Sequence, residues 1–247
     1  MSRQNPTVII ALGGNAISPK NESGDISKQF AHTKESLDAM MYFVDNRYNI
    51  CITHGNGPQV GDELLRMDLT SEKIPPLPLG ICVANTQGQI GYMVQQTLQN
   101  KLRELNIDRE VVTLITQVIV NKNDKSINNP TKYIGPRYSL NKITQLAKKF
   151  DWEIKEQEPG SWRRVVPSPM PEYIMHGKSI KALVDRGTIV IAFGGGGIPV
   201  YNNNNNKIEG IDAVIDKDFS AAKMGRIIKA QELWIISDID YVYSNFG

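Results

Sequence analysis

The chain has 247 residues, 28 of them basic and 26 acidic, for a formal net charge of +2. That balance excludes an electrostatic case for nucleic acid or an anionic membrane surface, so any anion site has to be local. At 40% hydrophobic and 22% charged residues, the chain is long enough for one large core or two lobes sharing a sheet, without covalent staples. The two cysteines, Cys51 and Cys82, sit in apolar runs with no metal-ligand spacing, which reads as a reduced protein. No basic stretch followed by an apolar core opens the sequence and no apolar run approaches membrane-spanning length. A cytoplasmic protein with no membrane partner is expected.

The first element is the apolar run Val8-Ile-Ile-Ala-Leu12, which ends in Gly13-Gly14-Asn15. A continuous apolar run of strand length predicts a parallel strand covered on both faces by helices. The glycines leave a loop whose N–H groups can face an anion, although a strand-to-helix turn uses glycine for conformational reasons alone. Ser27 is the predicted cap of a helix running to about Asn46, with Phe30, Leu37, Met40, Met41 and Val44 on one face. A second strand over Asn49–Thr53 ends in His54-Gly55-Asn56-Gly57, and Pro58 opens a helix to about Leu69. His54 reads as a hydrogen-bonding side chain that fixes this turn. A Pro-rich loop at 70–79 precedes a longer helix from about Cys82 to Leu105, where Gly88 and Gly91 allow close approach to a neighbour. Glu110–Val120, rich in Val, Ile and Thr, predicts a third strand.

From Asn121 to Tyr138 the chain is polar and turn-forming. A short helix over 139–150 follows, then a β-ribbon from about Trp152–Glu156 and Trp162–Val166. This segment reads as an inserted flap. A helix over 178–186 then leads to a third strand of the first kind, Thr188–Phe193, ending in Gly194 to Gly197. In open parallel sheets ligands bind beyond the carboxyl ends of the strands, so three such loops predict one shared anion site. Asn202–Asn206 is a hairpin tip. Asp216-Lys217-Asp218 opens a helix to about Ala230, and Glu232–Ser237 is the last predicted strand.

Familiar signatures are missing: there is no Gly-x-Gly-x-x-Gly, and His176-Gly-Lys-Ser179 lacks the first P-loop glycine and its strand. No serine elbow, Cys/His nucleophile or metal-ligand cluster is present. Phosphoryl transfer without a covalent intermediate remains, a reaction that needs alignment, dipoles and cations around the phosphoryl group. Glycine loops supply dipoles. Lys217, between Asp216 and Asp218, and Lys132, in Asn129-Pro-Thr-Lys132, are the candidate cations. The two carboxylates either hold an ammonium in place or assist Mg2+, and Asp-Lys-Asp alone also serves as an ordinary helix cap.

Six motifs in order along the chain resemble the carbamate kinases of the amino acid kinase superfamily. They are Ala-Leu-Gly-Gly-Asn-Ala (11–16), Gly-Asn-Gly-Pro-Gln-Val-Gly (55–61), Asn-Pro-Thr-Lys (129–132) with Ile-Gly-Pro (134–136), Trp-Arg-Arg-Val-Val-Pro-Ser-Pro (162–169), Gly-Gly-Gly-Gly-Ile-Pro (194–199) and Ala-Val-Ile-Asp-Lys-Asp (213–218). The resemblance implies an α/β fold, a three-layer αβα sandwich with a mainly parallel central sheet and a protruding subdomain. It implies a lobe over 1–190 carrying the acceptor site and a homodimer interface, with the subdomain at 121–168 inserted, and a nucleotide-binding lobe from 191. The implied reaction is ATP plus carbamate ⇌ ADP plus carbamoyl phosphate, with Mg2+ carried by the nucleotide and run toward ATP in arginine fermentation. Gly13, Gly14, Asn15, Gly55, Asn56 and Gly57 are then expected to line the acceptor and phosphoryl site, with Gly194, Gly195 and Gly196 beside them. Lys132 is expected to come from the subdomain and Lys217 from the nucleotide side, with Asp216 and Asp218 organising lysines and metal. The loop holding Ser237, Asp238 and Tyr243 borders the adenine. Arg163 and Arg164 suggest a structural salt bridge. Family members continue for several dozen residues past Gly247, including a lysine that contacts ATP phosphates, so an incomplete nucleotide site with exposed apolar sheet surface is expected. A dimeric anion- or partner-binding remnant and another small-acid kinase are the alternatives.

Overall fold

The computed structural model describes residues 5–18 and 25–237. Its centre is a five-stranded, all-parallel sheet in the order β12-β1-β2-β9-β3. These strands are β1 (Thr7–Leu12), β2 (Asn49–His54), β3 (Val111–Leu114), β9 (Ile189–Ala192) and β12 (Glu232–Ile236). Every residue of β1, β2 and β9 is buried, as continuous apolar runs require. Alternation sends their side chains into two separate cores. Val8, Ile10, Leu12, Ile50 and Ile52 meet the helices α2 (Ile26–Asp38), α3 (Met41–Asp45) and α5 (Leu79–Glu104) on one face. Ile9, Ala11, Cys51 and Val190 meet α7 (Gly177–Asp185) and α8 (Lys217–Ile228) on the other. The three layers are therefore helix, sheet, helix. Both cysteines are free and buried. At the sheet edge, Leu233, Trp234 and Ile235 of β12 are exposed.

Four expectations change in detail. The cap of α2 is Asp25, whose carboxylate accepts from the Ser27 and Lys28 N–H groups; Ser27 lies one position inside. The same helix stops at Asp38 because an i→i+3 bond from Met40 to the Leu37 carbonyl tightens its end, and α3 follows. The single strand expected over 110–120 is two. It breaks at Thr116, where the Gln87 side chain takes both the Thr116 N–H and carbonyl. The chain then leaves the central sheet, and β4 (Gln117–Val120) enters a second sheet of order β11-β10-β4-β8. Its other strands are β8 (Pro171–Ile174), β10 (Ile198–Asn202) and β11 (Ile208–Gly210), the last two flanking the Asn-rich hairpin tip.

The fourth change is in the flap. Part of the polar stretch 121–138 is a strand, β5 (Lys132–Tyr138), in a three-stranded antiparallel sheet β5-β7-β6 with β6 (Ile154–Glu158) and β7 (Ser161–Val166). Its register shifts between Ile134 and Tyr138, and Gly135 has φ +72. This irregularity, with Pro136 inside it, hides the strand period from the sequence. Helix α6 (Leu140–Phe150) packs on β7, and β5 docks on α4 (Gly57–Thr70), where Gly61 faces Gly135. The short α1 (Gly14–Ile17) completes the element list.

Candidate active site

The carboxyl ends of β1, β2 and β9 lie side by side, so their loops touch. Gly55 packs on the Gly14 backbone and Gly195 on the Asn56 side chain. A Cβ on Gly55 would stand 2.7 Å from the Gly14 nitrogen, and one on Gly195 would stand 2.2 Å from Asn56 Nδ2. Gly13 donates to the Ile236 carbonyl, and Gly55 to that of Leu12. Gly194–Gly196 form a turn of 3-10 helix, with Gly195 and Gly196 at positive φ. Only glycine fits there.

Two buried polar groups under the loops hold them in register. Gln87 Nε2 donates to the Gly194 and Thr116 carbonyls, while its Oε1 accepts from the Thr116 N–H. Thr86 Oγ1 donates to the Val83 carbonyl, so the same oxygen is left to accept from Asn56 Nδ2 at 2.9 Å. That orients the Asn56 amide. Sequence reasoning missed both residues, although a signal existed: Thr86 and Gln87 fall on the apolar stripe of α5 between Val83 and Ile90, where an unpartnered polar group is costly. His54 is 1% exposed, bonds through Nδ1 to the Gly55 carbonyl, and places its ring against Gly194. Burial lowers its pKa to about 4, so the ring is a neutral wedge at neutral pH.

A cavity of about 300 Å3 opens in front of these loops. Gly55, Asn56, Gly57 and Gly195 form one wall, Lys132 descends from β5, and Asp216, Lys217 and Asp218 close the far side. Lys132 Nζ donates to Asp216 Oδ2 at 3.1 Å, and Lys217 Nζ to Asp218 Oδ1 at 2.6 Å. Asp216 is also the cap of α8, its Oδ1 accepting from the Asp218 N–H. The cap and the ammonium holder are one residue. Burial pushes the Asp216 carboxyl up, but the Asp218 N–H together with the Lys132 and Lys217 ammoniums outweighs it and holds the pKa below its usual value.

The remaining predicted positions divide. Gly13 and Gly14 abut Gly55 from behind. Gly194 and Gly196 are support, Gly194 against His54 and Gly196 against the Ile215 carbonyl with its own carbonyl accepting from Ser220. Asn15 lies in α1. Ser237 sits beside Gly13 rather than in the cavity lining. Asp238 and Tyr243 fall outside the described residues. Arg163 lines the cavity, with its Nε donating to the Gly135 carbonyl, and Arg164 pairs with Asp212 at 3.4 Å. Among the described residues no group of three or more His, Cys, Asp or Glu side chains could hold a metal ion. Three of the four Asp216 and Asp218 carboxylate oxygens are already bonded.

A profile of the Amino acid kinase family matches residues 6–247. The carbamate kinase of Pyrococcus horikoshii is 43% identical over 97% of this chain and 77% of its own length, and that of Staphylococcus haemolyticus is 41% identical over 97% and 76%. The chain belongs to the carbamate kinase family. Carbamate kinase from Giardia lamblia bound to AMP-PNP superposes with a TM-score of 0.87 at 36% identity, covering 95% of this chain and 74% of that one. A crystal structure from Aeropyrum pernix gives 0.91 at 34% identity, covering 98% and 77%. As a carbamate kinase family member the chain has a kinase lineage, and neither the binding-remnant nor the other small-acid kinase alternative is favoured. Among the described residues no helix is long and apolar enough to cross a membrane.

Proposed function

We propose that this protein transfers a phosphoryl group reversibly between ATP and carbamate, giving ADP and carbamoyl phosphate, and runs toward ATP as in arginine fermentation. The observation that carries the reading is the convergence, at one cavity, of Lys132 and Lys217 with the loop residues Gly55, Asn56, Gly57 and Gly195, each ammonium held by a carboxylate. The loops cradle the transferring phosphoryl group and the acceptor. The two ammoniums meet charge that develops on its oxygens, and their carboxylates fix them in advance. Mg2+ on the nucleotide adds charge neutralisation when bound.

The division of labour follows the chain. Residues 1–190 form the acceptor lobe, with the subdomain at 121–168 inserted, and the segment from 191 belongs to the nucleotide lobe, where Ser237, Asp238 and Tyr243 border the adenine. A cytoplasmic homodimer built through the first lobe is part of the same reading. The test is ATP formation from ADP and carbamoyl phosphate, with Lys132→Ala and Lys217→Ala beside the wild type. Each substitution is expected to lower kcat by roughly 10²–10³. Full turnover in both variants overturns the assignment.

A further inference from the structure

The Trp162-Arg-Arg-Val-Val motif contributes more than strand β7. Arg164 stands opposite Ile134 in the β5–β7 ladder, and Lys132 stands opposite Val166. The two cations therefore leave one small sheet two residues apart in register. Both reach the same segment ahead of α8. Lys132 bonds Asp216, Arg164 bonds Asp212, and between them the Val214 N–H donates to the Pro167 carbonyl. The subdomain already packs on α4 and α5 through Ile134 and Val166; apolar packing is non-directional, and the polar contacts spread over residues 212 to 216 add a fixed orientation on that surface.

Arg164 is built for the outer position. Its side chain is 13% exposed, and its guanidinium lies over the Trp152 ring at 5.0 Å, which fixes the plane of the fork. Asp212 is fixed on the body side, because its Oδ1 accepts from the Leu79 N–H at the start of α5. We propose that Arg164 is a positioning residue, which through Asp212 pins the subdomain to the segment leading into α8 and thereby sets Lys132 on Asp216. Its kinetic consequence rests on the phosphoryl-transfer reading, whereas its structural consequence rests on this geometry alone.

The experiment has two arms. In the kinetic arm Arg164→Ala is expected to lower kcat for ATP formation about 10-fold while the KM for ADP changes less than about 2-fold, because a displaced Lys132 costs alignment rather than nucleotide binding. Arg164→Lys should recover part of the loss. Asp212→Asn, which retains an oxygen for Leu79, should match Arg164→Ala, and combining the two should cost no more than either alone. In a Lys132→Ala background, Arg164→Ala should change the rate less than about 2-fold. An undiminished effect there overturns the proposal. The second arm measures amide hydrogen exchange in the unliganded protein. Arg164→Ala and Asp212→Asn should speed exchange across Lys132–Tyr138 at least about 5-fold with the central sheet unchanged. Unchanged exchange in that strand overturns the proposal whether or not the protein makes ATP, and a wild type inactive with carbamoyl phosphate counts against the proposed function instead.

Discussion

The two sides of the cavity are built by opposite means. The glycine wall is close-packed loop on loop, with Gly55 against the Gly14 backbone, Gly195 against the Asn56 side chain and Gly194 against a fully buried His54 ring. The subdomain face reaches the cavity through a lysine whose side chain is 45% exposed and whose partner is a single carboxylate. Bulk added at Gly55, Gly194 or Gly195 would overlap its neighbour, so these loops are closely packed before any ligand arrives. The subdomain docks through an apolar cluster, Ile134 and Val166 against Val60, Leu64, Leu79 and Cys82, and through polar contacts to residues 212–216, and its sheet carries Lys132. In the proposed reaction the phosphoryl group lies between a closely packed glycine wall and a lysine carried by the inserted subdomain.

The largest expected effects separate these roles by rate and stability. Lys132→Ala and Lys217→Ala should lower turnover by the two to three orders of magnitude given above. The midpoint of urea unfolding should stay close to wild type for Lys132→Ala, since an exposed ion pair adds little to stability. A large midpoint shift would show that the subdomain side is as structural as the wall.

The wall has its own signature in pH. His54 is held neutral with a pKa of about 4, below its ordinary 6.5, so between those values the unfolded chain takes up a proton that the folded chain refuses. Stability from this group is complete above pH 6.5 and declines as pH falls toward 4, by up to about 3 kcal/mol. Urea unfolding of wild type and His54→Gln from pH 4.5 to 7.5 should show the steeper decline in the wild type; parallel profiles would remove His54 as the cause.

A smaller effect is expected of Gly55→Ala, which forces a methyl against the Gly14 nitrogen and should cost roughly 1–3 kcal/mol through overpacking, with a fall in kcat. Thermal unfolding beside the kinetic assay checks whether the two losses move together. The smallest effect belongs to Thr86→Val, which leaves Asn56 Nδ2 without its acceptor and should cost roughly 1–2 kcal/mol, while Thr86→Ser stays near wild type. Equal stability of the valine and serine variants would show that the Asn56 amide is held by something else.

Much of the glycine wall was legible in the sequence. The strands β1, β2 and β9 are buried on both faces, so they read as unbroken apolar runs, and each stops at glycines because the next loop sits against its backbone. The subdomain side was less legible. Strand β5 alternates poorly and carries Gly135 and Pro136, so its sequence reads as a turn-rich excursion. The break at Thr116 was hidden for a different reason: it is made by a side chain 29 residues earlier.

By itself the sequence determined the parallel sheet, the three glycine turns and the residue types able to meet a phosphate, because burial and turn chemistry are written in consecutive positions. Tertiary structure alone decided which groups face each other. Lys132 meets Asp216 across 84 positions, and Thr86 turns the Asn56 amide across 30. Such pairs carry no local period; they exist because the subdomain folds down onto the segment before α8 and α5 runs beneath the loops.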